Sequence, residues 1–146
     1  MSHCHDEHES HEHEHSHDGP DRGTEASLYP CIDHENIRCL NESVAGSGKN
    51  VIKPWHERND TTKACINALT IEANVYINRE DIDFDTVDSY TATQEWELVS
   101  SPDNVEYITR MAKMYNVRNL TLYFPENFGD DVTRIFYIGL KGEWTE

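Results

Sequence analysis

Asn127-Phe128-Gly129-Asp130-Asp131-Val132-Thr133-Arg134-Ile135-Phe136-Tyr137-Ile138-Gly139-Leu140-Lys141-Gly142-Glu143-Trp144-Thr145 decides the reading of this chain. Its middle, Arg134 to Leu140, is an apolar run that fits a strand buried on both faces. Phe136, Ile138 and Trp144 are candidate core residues, together with Trp55 and Trp96 further upstream. Gly129, Gly139 and Gly142 suit backbone turns or close approach.

Outward from that block the pattern stays β. Leu120, Leu122 and Phe124 alternate with Thr121 and Tyr123, and Pro125 closes the strand. Trp96 and Leu98 alternate with Glu95 and Glu97. Ile71, Ala73, Val75 and Ile77 alternate with Thr70, Glu72, Asn74 and Tyr76, a period-two strand. Residues 102–115 read two ways. Pro102 stands at a helix start, and Val105, Ile108, Met111, Ala112 and Tyr115 share a helical face, so period alone favours a helix. Val105, Tyr107 and Thr109 fit a strand equally. Residues 41–50 are loop-like, and Lys53 before Pro54 is expected to be extended.

The other end of the chain is different material. Residues 1–27 hold seven of the nine histidines and eight acids against one base, with almost no large aliphatics. They are expected to be a disordered His- and acid-rich tail, with one domain over residues 28–146. A body of that length buries roughly two-thirds of its unfolded surface, enough for one modest core. His3, His5, His8, His11, His13, His15 and His17 can gather Zn or Ni weakly and adventitiously, with Cys4 as a soft neighbour. No shell fixes a geometry there.

Charge narrows the partners. The net charge is −16. The tail accounts for −7, and residues 80–109, with nine acids and no Lys or Arg, account for −9. Such a surface repels nucleic acid and suits a solvated face or a basic protein partner. No run of about 18 apolar residues is available to span a membrane. No signal peptide is visible, so the acceptor patterns at Asn41, Asn59 and Asn119 are expected to stay bare. Cys4, Cys31, Cys39 and Cys65 contain no CxxC and are expected to be free thiols.

Several motifs start and fail. Gly46-Ser47-Gly48-Lys49-Asn50 resembles part of a phosphate loop, but Ser43 replaces its first glycine and Asn50 its metal-binding hydroxyl. Asp81, Asp83 and Asp85 open like a calcium loop, but Thr86 and Ala92 stand where glycine and glutamate are needed. Cys31, His34, Cys39, His56 and Cys65 match no zinc spacing. No nucleophile–base pairing is evident, so no catalytic residue and no cofactor is assigned.

Three blocks resemble the PITH domain, a module named for its proteasome-interacting role at the C-terminus of a thioredoxin-like protein. They are Cys39-Leu40-Asn41-Glu42-Ser43 with Lys53-Pro54-Trp55 and Arg58; Gln94-Glu95-Trp96-Glu97-Leu98; and the quoted block from Asn127 to Thr145. The resemblance implies a mainly β fold, a jelly-roll β-sandwich of the galactose-binding-like type. Relative to the family pattern the sandwich is incomplete: several tens of residues are missing after Lys63, and a C-terminal strand is missing. It implies a non-enzymatic, monomeric protein-interaction module of cytoplasm and nucleus, associated with the proteasome regulatory particle. Lys53, Arg58, Lys141 and Glu143 are the polar members expected to meet a partner. Competing readings are a sugar-like small-ligand binder using loops 41–50 and 125–133, metal handling through the tail, and a non-functional truncated product.

Overall fold

The structure is a computed structural model, and it describes residues 26–61, 72–99, 101–125 and 134–145. The tail histidines, Cys4, Cys65, Gly129 and the loop positions 126–133 lie outside these. Among the described residues no helix is long and apolar enough to cross a membrane.

Three strands form an antiparallel sheet: β1 (Glu72–Ile77), β2 (Gln94–Glu97) and β3 (Leu120–Tyr123), in the order β2-β1-β3. All three fall where alternation predicts strands. β1 is central because it is buried on both faces: Ala73 and Val75 on one, Tyr76 on the other. Val75 is 0% exposed, in register with Gln94 of β2 and Leu122 of β3. β2 keeps strict alternation, with Gln94 and Trp96 half-buried and Glu95 and Glu97 exposed. Burial of Val51 and Val87 completes the described apolar core.

The rest is held by short 3-10 turns at Tyr29–Cys31, His34–Asn36, Gly48–Val51, Trp55–Glu57 and Val87–Ser89. Isolated bridges join the chain's two flanks. Ser27 pairs with Lys141 and Ile52 with Ile138, supported by Leu28 N–H to the Leu140 carbonyl (2.8 Å), Gly142 N–H to Ala26 (3.0 Å) and Ile138 N–H to Val51 (2.9 Å).

Three expectations are corrected. Residues 102–115 are not helical: 104–110 are irregular and a turn follows at 111–113. A helix of this length is stabilised mainly by packing its apolar face, and here Ile108, Met111 and Tyr115 are more than four-fifths exposed. Side chains of β2 tie the backbone instead: Gln94 and Trp96 donate to the Ile108 carbonyl, and Arg110 N–H donates to Gln94 Oε1. Arg134–Leu140 is not a strand buried on both faces. Its neighbours are turns rather than strands, so it makes single bridges, and Ile135 to Ile138 are half-buried. Trp144 is not core; it is 62% exposed.

Candidate interaction surface

The indole of Trp55 collects the polar residues singled out from sequence. The turn Trp55–Glu57 sets the ring beside residues 137–141. The Arg58 guanidinium lies 4.3 Å from the ring centroid, and the Lys141 ammonium 4.8 Å. Tyr137 meets the ring edge-on at 6.4 Å. Arg58 Nη1 also donates to the Trp55 carbonyl (2.9 Å), and Lys141 Nζ to Glu106 Oε2 (2.6 Å). Cations over an indole gain from its negative face, about 0.5–1 kcal/mol each at exposed sites. Burial pushes the Tyr137 hydroxyl above its ordinary pKa, opposed by Arg58 and Lys141.

The four sequence-derived residues are therefore placed unequally. Arg58 and Lys141 share the platform. Lys53 is 5% exposed and donates to the Asp60 carbonyl, so its ammonium closes the 53–60 turn rather than facing solvent. Glu143 is exposed. Sequence alone places Trp55 in the core and gives no partner role to Tyr137 or Glu106. The Lys-Pro-Trp-x-x-Arg spacing is the available signal, since it puts a cation one turn from an indole.

The phosphate-loop-like segment has an internal occupant. Glu42 Oε1 accepts from Gly46 N–H (2.5 Å) and Oε2 from Gly48 N–H (2.7 Å). These amides hold the Glu42 carboxyl below the usual glutamate range. A depressed carboxyl stabilises the fold above its unfolded pKa, and that stability is lost as pH falls through the folded pKa. Glu42→Gln is therefore expected to lower Tm at neutral pH and to flatten the acid limb of a Tm-against-pH curve. An unchanged acid limb would contradict this role.

Asp83 accepts from the N–H groups of Asp85 and Thr86, both at 3.0 Å, and Asp81 is engaged by Arg79 and Tyr90. These two carboxylates are thus committed to local structure. The His34 ring lies tilted against Tyr29 at 4.5 Å, Cys39 packs beside Gly48, and His56 lies exposed. Among the described residues no three such groups gather for a metal, and Cys31 and Cys39 are free thiols.

A concavity lies at the end of the sheet where β1 leaves and β3 enters. It is an open cleft of about 780 Å³ lined by residues including Arg79, Glu80, Asn116 and Arg118. Asn78 and Asn116, both at positive φ, shape it through Asn78 Nδ2 to the Asn116 carbonyl (3.0 Å). Asparagine tolerates that conformation.

Comparison with known proteins adds one family. The PITH domain profile matches residues 18–68 and 71–146 and is interrupted between them. A PITH domain-containing protein of Drosophila pseudoobscura is 37% identical, over 85% of this chain and 72% of its own length. PITH domain-containing protein 1 of Dictyostelium discoideum is 34% identical, over 99% of this chain and 84% of its own. The human protein of that name is 33% identical, over 86% and 73%. The Dictyostelium alignment spans 176 positions yet takes in 99% of a 146-residue chain, so some thirty positions lack a counterpart here. The Drosophila alignment, 154 positions for 85% of the chain, shows a shortfall of the same size. No solved structure matches the chain.

Proposed function

Because this chain belongs to the PITH domain family, whose membership supports a protein-interaction module, we propose that it acts without catalysis by binding the proteasome regulatory particle. The PITH domain is a galactose-binding-like β-sandwich, and the described part of this chain is mainly β, with one three-stranded sheet. One observation carries the proposal. Two sequence blocks about eighty residues apart, Trp55 to Arg58 and Tyr137 to Lys141, build a single cation–aromatic platform at Trp55. Aromatic and arginine side chains are the usual energetic centre of protein interfaces. Cytoplasm and nucleus are the compartments this reading requires.

The test is quantitative capture of proteasome subunits from lysate by the full chain at moderate salt. The Arg58→Ala/Lys141→Ala variant is expected to retain at least tenfold fewer proteasome subunits. Its urea midpoint should fall only by the equivalent of about 1–2 kcal/mol for two lost cation–π contacts. Equal capture by a folded variant would remove the platform from the proposal. No capture by the wild type would remove the partner.

The cleft beside Arg79 and Arg118 favours a second reading, a small polar ligand at the end of the sandwich. Saturable binding on a glycan panel, lost in Arg118→Ala, is its signature. The tail histidines add a weak Zn or Ni capacity that deletion of residues 1–18 would abolish.

A further inference from the structure

Residues 104–109 run beside β2 with their outer side bare. Among the described residues their peptide units make no backbone–backbone hydrogen bond. They are held only through side chains, such as Gln94 and Trp96 on the Ile108 carbonyl at 3.0 and 3.3 Å, and Tyr107 6.0 Å from the Trp96 ring. Val99, Val105 and Ile108 are 61%, 41% and 84% exposed. Unpaired peptide groups beside exposed apolar side chains are what an added strand recognises.

Residues upstream of the family-match interruption reach this stretch. Before it, Asn59 Oδ1 accepts from Asn104 Nδ2 at 3.0 Å. After it, Glu72 stands in register with Glu97, two residues from Val99. Relatives carry some thirty further positions that this chain lacks.

We propose that residues 104–109 are an open strand position, and that an extended segment of a partner protein, alternating apolar residues with Lys or Arg, pairs along it. The charge follows from Glu95, Glu97 and Asp103, which are exposed in a segment, residues 80–109, that carries no Lys or Arg; Glu106 is already paired with Lys141. A second copy of a chain with net charge −16 is a poor occupant. The pairing does not depend on the proteasome as partner.

The test titrates the full chain with a blocked ten-residue peptide of alternating valine and lysine, and with the valine–glutamate counterpart. Amide hydrogen exchange is followed residue by residue. Expected are saturable binding of the lysine peptide, at least tenfold slower exchange within 104–109, and at least tenfold weaker binding by Ile108→Glu. Exposure of Ile108 makes that substitution compatible with the fold, and Val105→Glu is the second variant. The proposal is overturned by unslowed exchange at 104–109, by equal binding of the glutamate peptide, or by undiminished binding of both variants. It is equally overturned if these amides are already protected in a dimer without peptide, or if Val75 exchanges as in an unfolded chain.

Discussion

Val75→Asp is expected to abolish cooperative folding. Val75 is fully buried at the middle of the central strand, between Gln94 and Leu122. A carboxylate there has no counter-charge on either neighbour, and burying it costs about 4 kcal/mol or more. A small domain holds about 5–15 kcal/mol in total, and a three-stranded sheet has little else to stabilise it. Val75→Ala removes only methyl groups and is expected to cost about 2 kcal/mol. Urea unfolding followed by tryptophan fluorescence and near-UV circular dichroism separates the two. The alanine variant should shift the midpoint and keep one transition, while the aspartate variant should lose the near-UV signal in buffer. A wild-type-like midpoint for the aspartate variant would mean that this sheet is not the core.

Gly48→Ala carries the second large effect. Gly48 is buried, and a Cβ there would lie 2.6 Å from Cys39 Sγ and 2.9 Å from Glu42 Oε2, besides touching Cys39 Cβ. The thiol and the carboxylate must both move, and the Gly48 N–H bond to Glu42 is strained with them. Overpacking of this kind costs about 1–3 kcal/mol. Gly46→Ala is the informative partner. Nothing lies within 4 Å of its added Cβ, but its φ of +81° is left-handed, so it should cost about 1 kcal/mol from backbone strain alone. Urea midpoints should rank wild type, then Gly46→Ala, then Gly48→Ala. Reversal of the two variants would show that the crowding at Cys39 relaxes freely.

What the sequence made legible divides along sequence distance. β1, β2 and β3 announce themselves through alternation because each strand's burial pattern is a local property of the pleat. Residues 102–115 satisfy two periods at once, and only the absence of an apolar surface to pack on decides against the helix. The run Arg134–Leu140 is apolar enough for a strand, but its partners are turns at 26–28 and 51–52, which no local pattern names. Arg58 and Lys141 stand out as polar members of two motifs; that they share one indole depends on contacts across about eighty residues. The cleft at Asn78 and Asn116 was hidden for the same reason, since each asparagine alone reads as an ordinary turn former.

The bridges between the two flanks of the body also set an order in time. Leu28 waits for Leu140, and Val51 for Ile138, before either has its hydrogen-bond partner. At roughly 5–20 residues per second, a ribosome takes about five to twenty seconds to make the chain between Leu28 and Leu140. For that interval the first block, with Trp55 and its cations, has no C-terminal segment to close against. Closure is then a search across the whole domain length, the slow regime of high contact order. A nascent chain of this kind stays open to chaperones until its final block leaves the ribosome.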